Sequence, residues 1–209
     1  YCNAEDARNT LISKGWTIND AGKDCPEPIV TIPDANFKTA LVADNAINTN
    51  GDAEIQVTEA EVFTGQIFIS DLDISDLTGI EAFINLTQLN CNNNNITSLD
   101  LSTNTSLTNL YCLYNQLTAL DVSANSSLEV LNCGHNDITS LDLSSNANLI
   151  KVYAYYNQLT SLDIANGNNQ IITDFFANEN PNLSCIKVSD VTHMENNITS
   201  SIGEASFST

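Results

Sequence analysis

Basic residues are nearly missing from this chain. Six Lys and Arg stand against 26 Asp and Glu, a formal net charge of −20. A field of that sign repels phosphate backbones and anionic lipid headgroups, so nucleic acid and membrane surfaces are poor partners, and divalent cations or cationic surfaces better ones. Long apolar runs are missing too: no stretch of 18 apolar residues occurs, so no segment reads as a membrane-inserting helix. No secretion signal opens the chain, which starts abruptly at YCNAED, and the expectation is a removed signal or a piece of a longer protein. GxSxG, HExxH and CxxC do not occur. The two histidines are His135 and His193, and the acids are too many for one catalytic pair to stand out. An enzyme is not expected.

What the chain has is repetition. LTQLNCNNNNITSLDLSTNTS (86–106) is followed by LTNLYCLYNQLTALDVSANSS (107–127) and LEVLNCGHNDITSLDLSSNAN (128–148), with LIKVYAYYNQLTSLDIANGNN (149–169) in the same 21-residue register. A fixed period of this length predicts a solenoid, in which each coil buries its apolar side only by stacking on its neighbours. With positions numbered 1 to 21 from Leu86, positions 1, 4, 6, 11, 14 and 16 are apolar and point inward. The period-2 stretches read as short strands. Cys91, Cys112 and Cys133 share position 6, where buried thiols act as small hydrophobes and parallel side chains are poorly aimed for disulfides. Cys133 is therefore core, although His135 lies two residues on. Asn recurs at position 9 (Asn94, Asn115, Asn136, Asn157) and at position 19 (Asn104, Asn125, Asn146), where it can serve backbone groups at the corners of the coil.

Four regions follow. Residues 1–25 read as a separate N-terminal segment closed by an expected Cys2–Cys25 disulfide. Residues 26–63 read as a helical cap, with a helix starting at Pro33 that carries Phe37, Leu41 and Val42 on its apolar face, and a second over 57–63. The repeats occupy 64–190, from a 22-residue first coil to a degenerate last one. Residues 191–209 read as a polar tail or the start of a closing cap. Cys185 is left without a partner.

The unit is nearly two half-repeats, LxxLxCxxNx and LxxLDLxxNxx, and so resembles the bacterial leucine-rich repeats of the 21-residue IRREKO type. The resemblance covers about 65–190 and implies a parallel β-sheet on one face and a second extended run on the other. YCNAEDARNTLISKGWTINDAGKDC resembles the end of BspA-like surface regions in Bacteroidetes, and NPNLSCIKVSD…GEASFST resembles the end of leucine-rich regions in flavobacterial secreted proteins. These matches imply a fragment of a long, secreted or cell-surface bacterial protein. They also imply a further cysteine beyond the FST-like end as the partner of Cys185.

Two candidate sites stand out. NTNGDAEIQVTE (48–59) has the spacing of an EF-hand loop, with Asn48, Asn50, Asp52, Glu54 and Glu59 at ligand positions for calcium. Asn replaces Asp at its position 1, and Ala53 replaces the usual Gly at position 6. The longer stretch IPDANFKTAL…NTNGDAEIQVTEAE resembles the cap that precedes leucine-rich repeats in secreted bacterial proteins. The second site is aromatic. Tyr111, Tyr153 and Phe176 share position 5, Tyr155 lies at position 7, and Tyr114, His135 and Tyr156 share position 8. Read as outward columns of the first strand, these residues interleave with Asn to suit a peptide or a sugar ring, or else stabilise neighbouring coils by packing. The opposite face carries Asp100, Asp121, Asp142 and Asp163 beside Thr97, Thr118, Thr139 and Thr160, a solvated edge with Asp–backbone bonds. The expected function is recognition or adhesion by a monomer that binds protein or glycan on a cell or host surface. The alternatives are a calcium-rigidified spacer and a targeting module attached to a polysaccharide-degrading enzyme.

Overall fold

The computed structural model describes residues 27–198 and 202–209. The expected Cys2–Cys25 disulfide lies outside them. Helix α1 (Ala35–Ala43) starts two residues after the expected Pro33 and is capped by Asp34, whose Oδ1 accepts the N–H groups of Asn36 and Phe37 at 3.0 Å each. Its Oδ2 accepts the N–H and hydroxyl of Ser75. One carboxylate thus caps a helix and ties it to the first coil. Helix α2 (Val57–Val62) follows the loop. Phe37 and Leu41 face the core, while Val42 is only partly buried. Gly79, at φ 106°, turns the chain beneath this cap, where a Cβ would stand 2.9 Å from the Thr31 carbonyl oxygen.

Seven coils stack behind it. Strands β1 (Gln66–Phe68), β2 (Gln88–Asn90), β3 (Asn109–Tyr111), β4 (Val130–Asn132), β6 (Lys151–Tyr153) and β8 (Asp174–Phe176) form one six-stranded parallel sheet. β5 (Ser140–Asp142), β7 (Ser161–Ile164), β9 (Cys185–Val188) and β10 (Ser206–Ser208) form a four-stranded parallel sheet on the other side. The second extended run therefore pairs as a sheet only from Ser140 onward. Helix α3 (Val191–Asn197) buries Met194, and β10 pairs with β9, so the described part of 191–209 packs against the last coil.

The inward positions fill a continuous apolar core, and Leu89, Leu110, Leu131, Val152 and Phe175 at position 4 have no exposure. The three position-6 cysteines are buried and unpaired. A parallel stack of leucines has no preferred register of its own. Asparagine supplies one. Asn115 Oδ1 accepts the Ile96 N–H of the preceding coil at 3.1 Å, while its Nδ2 donates to the carbonyls of Cys91 (3.0 Å) and Cys112 (3.1 Å). Asn94, Asn136, Asn157 and Asn180 repeat this arrangement.

The position-19 column is only half satisfied. Asn125 Nδ2 donates to the carbonyls of Leu101 and Asn104, yet its Oδ1, like those of Asn104 and Asn146, accepts no hydrogen bond from the protein. Burial and bonding therefore rank the two columns oppositely: Asn125 is 0% exposed and Asn136 7%. Asn136→Ala is expected to cost about 3 kcal/mol, because it strands the Leu117 N–H and carbonyls of two coils, and Asn125→Ala about half that. Urea denaturation of the two variants checks the order. A larger loss at Asn125 would overturn it.

Candidate functional site

Positions 3 to 5 of each coil are strand, and the chain then turns. The aromatic residues at positions 7 and 8 sit on that turn, not on the strand as the column reading expects. Position 8 is left-handed after every strand of the six-stranded sheet: Asp71 (φ 60°), Asn93 (55°), Tyr114 (54°), His135 (49°), Tyr156 (52°) and Glu179 (56°). For L-residues this region costs roughly 1–2 kcal/mol per residue, with Asn, Asp and His better suited than Tyr. Coil-to-coil bonding enforces it. The N–H groups of Tyr114, His135 and Tyr156 donate to the carbonyls of Gly134, Tyr155 and Asn178 in the following coils. Glycine would relieve the strain at all six positions and occupies none.

The rings in this column lie on one another. Tyr114 and His135 stack with centroids 4.1 Å apart at 23°, and His135 and Tyr156 at 4.4 Å and 11°. Tyr155 meets His135 edge-on at 5.5 Å. It reaches there because position 7 of the preceding coil is Gly134, where a Cβ would lie 3.0 Å from the Tyr155 ring and 3.1 Å from the Leu113 side chain. Burial raises the pKa of the Tyr155 phenol, against the hydrogen bond it shares with Asn132, so the phenol stays neutral at physiological pH. Tyr153 stacks on Phe176 at 5.6 Å and 14°, while Tyr111 lies between Asn90 and Asn132 in the same column. All seven aromatic candidates thus line one side of the solenoid, with Tyr114 (49%) and Tyr156 (48%) the most exposed.

The thiols beneath are inert. Burial pushes Cys91 and Cys133 up to about 12, and Cys133 has no exposure, so it forms no nucleophilic pair with His135. On the far face, Oδ1 of Asp100, Asp121 and Asp142 accepts the N–H of Ser102, Ser123 and Ser144 at 2.9 Å in each case. Hydrogen bonds from those serines lower the three carboxyl pKa values. Asp163 pairs with Lys187 at 2.8 Å. This column is engaged with its own turns. Cys185, at the other end, is exposed, with Sγ 2.8 Å from the Ser208 hydroxyl.

The calcium-like loop departs from the expected path. Its left-handed residue is Gly51 (φ 73°), not Ala53. Glu54 pairs with Lys38 at 2.6 Å. Asn48 donates to the carbonyls of Val42 and Asp52, and Asp52 Oδ2 accepts from the amides of Asn50 and Gln56. Glu59 Oε1 accepts the Thr49 N–H and hydroxyl and the Asn50 N–H, and Oε2 accepts the Gln56 N–H. The oxygens a cation would use already face N–H and O–H donors. Among the described residues no three His, Cys, Asp or Glu converge as a metal-binding group.

Burial works against ionisation of Glu59, but its four donors outweigh burial and lower its pKa. A carboxylate whose pKa is depressed by folding stabilises the native state above its unfolded pKa and loses that contribution as pH falls through the folded one. Glu59→Gln should therefore destabilise the cap at pH 7, with the gap to the parent narrowing as pH falls below the ordinary carboxylate range and through the lowered pKa. Thermal melts across that range test this; a constant gap would overturn it.

Residues 43–169 match the family described as the endo-β-N-acetylglucosaminidase EndoS LRR domain. Among solved structures, the functional domain of InlJ from Listeria monocytogenes, described as including a cysteine ladder, is 34% identical with a TM-score of 0.61. The alignment covers 75% of this chain and 36% of that one, so the chain spans little more than a third of that structure. An internalin, inlF, from Listeria monocytogenes str. 4b F2365 is 20% identical over 88% of this chain and 74% of its own, with a TM-score of 0.48. The pollen receptor kinase 3 shares the fold at 17% identity and a TM-score of 0.55, over 69% of this chain and 76% of its own. No curated protein matches the chain.

Proposed function

The chain belongs to the leucine-rich repeat family of the EndoS LRR domain, and from that premise we propose that it is a non-catalytic recognition module of a bacterial cell-surface or secreted protein. It holds a protein ligand against the aromatic rim of its six-stranded sheet. The observation that carries this reading is the Tyr114–His135–Tyr156 stack, kept at left-handed positions that glycine would fill with less strain. The stack also favours protein over glycan. Sugars pack on open ring faces, whereas here the rings cover most of each other's faces and present edges, hydroxyls and an imidazole. Rigid aromatic edges among asparagine amides are the composition of protein-binding surfaces.

Arrays of host extracellular proteins and of glycans, probed with this chain, test the reading. Capture of a protein is expected, and it should be lost in a Tyr114→Asn, His135→Asn, Tyr156→Asn variant, whose asparagines suit the left-handed backbone, that melts as a folded solenoid. Blank arrays, or capture that survives the three substitutions, would overturn it.

A second reading has one observation behind it. The matched family is named for a leucine-rich repeat domain of an endoglycosidase. A chain of this kind would then be the targeting module of a polysaccharide-degrading enzyme. A glycosidase domain encoded in the same parent gene would support that assignment.

For the loop, we propose weak calcium binding in competition with Lys38 and the amides of Asn48, Asn50 and Gln56. Calorimetric titration is expected to give a Kd of about 1 mM, the range of extracellular modules. Submicromolar affinity would show that the amides do not compete. Silence up to about 10 mM, beyond that range, would remove calcium from the loop and with it the calcium-rigidified spacer.

A further inference from the structure

The left-handed column changes chemistry at its C-terminal end. Tyr114, His135 and Tyr156 occupy successive rungs, and the next rung is Glu179. His135 covers one face of Tyr156. The other face looks toward the Glu179 coil, and among the described residues no ring stacks on it. Tyr156 and Glu179 line a groove of about 360 Å³ together with His135, Asp137, Gln158 and Pro181. No Lys or Arg lines this groove. Among the described residues, neither Asp137 nor Glu179 forms an ion pair. The acids of the far face differ: Asp100, Asp121 and Asp142 hold their own turns, and Asp163 holds Lys187.

We propose that this groove receives a cationic side chain of the partner protein, an arginine guanidinium before a lysine ammonium. The inference rests on the recognition reading and names the chemistry of its partner. A tyrosine face that no other ring covers attracts a cation through the ring quadrupole. Two carboxylates in the same groove accept its N–H groups. A planar guanidinium lying on Tyr156 would add one more layer to the stack, at the rung where the chain supplies Glu179 instead of a ring, and its forked donors suit carboxylates better than an ammonium does. The other end of the stack lacks this setting, because Tyr114 is flanked in its column by Asn93. The net charge of −20 draws a basic segment in from a distance, but it does not choose the groove.

The probe is a short blocked peptide containing one arginine, titrated into the chain by NMR at low ionic strength, beside its citrulline counterpart. The arginine peptide is expected to shift resonances of Tyr156 and Glu179, and the citrulline peptide to bind about tenfold more weakly, since it keeps the shape and loses the charge. Tyr156→Asn, which suits a left-handed backbone, and Glu179→Gln should each weaken the arginine peptide about fivefold. A double variant, Asp100→Asn with Asp121→Asn, takes two charges from the far face and should leave binding unchanged. Equal weakening by that double variant would reduce the effect to bulk electrostatics and overturn the site. Equal binding of tetramethylammonium, which has no N–H to donate, would overturn the role of the carboxylates. Protein capture on the arrays without arginine-peptide binding would overturn this inference and leave the recognition reading standing. Peptide binding with blank arrays would overturn that reading and keep the cation site.

Discussion

One side chain per coil sets the geometry of everything else. The position-9 asparagine reaches the carbonyl before the turn in its own coil, the same carbonyl in the preceding coil, and an N–H after the turn there. Leucine packing alone would allow neighbouring coils to slide. Three directional bonds at every rung do not. They hold the chain in a sharp turn right after the strand, and that turn makes position 8 left-handed. Stability and display therefore share a cause: the bonds that lock the coils also force the preceding side chain out of the wall. Five rungs repeat the arrangement, so no single coil carries the whole constraint.

The architecture was legible because repetition turns every position into a column. An apolar residue found once says little, whereas position 4 is apolar in coil after coil and has no exposure in the sheet from Leu89 to Phe175. The asparagine columns stood out in the same way. The left-handed turn did not, because the usual sign of φ > 0 is glycine, and position 8 holds Asp, Asn, Tyr, His and Glu. Gly134 lies one residue earlier; it makes room for Tyr155 and has no positive φ. The bonding within the calcium-like loop was hidden for a related reason. EF-hand spacing concerns which oxygens are present, but Asn50 and Gln56 also bring N–H groups, and Lys38 comes from a helix outside the motif. The cation groove was hidden because Asp137 and Glu179 belong to different coils and different columns.

Charge is distributed unevenly by engagement more than by count. The far face holds the regular aspartate column, which composition alone would make the obvious cation site. Asp100, Asp121 and Asp142 are held by serine N–H groups, which lower their pKa values, and Asp163 is held by Lys187. A carboxylate fixed to its own turn gains less from an outside cation than one with free lone pairs. Among the described residues, Asp137 and Glu179 beside the aromatic stack have no ion pair, and no N–H group donates to their carboxylates. Regularity on this solenoid marks structural work, and departure from it marks available chemistry.

That contrast also explains why a strained position tolerates such different side chains. The backbone path at position 8 is dictated from both sides, by the asparagine that follows and by carbonyls of the next coil. The strain, roughly 1–2 kcal/mol at each bulky residue, is small beside the apolar burial of a whole coil. The side chain itself contributes little to the lock, so it is free to vary without loss of the fold. A position fixed in direction and free in identity is what a recognition surface requires. Here it carries two tyrosines and a histidine in succession and then a glutamate, a sequence of rungs that stacking alone does not demand and that a cationic partner would complete.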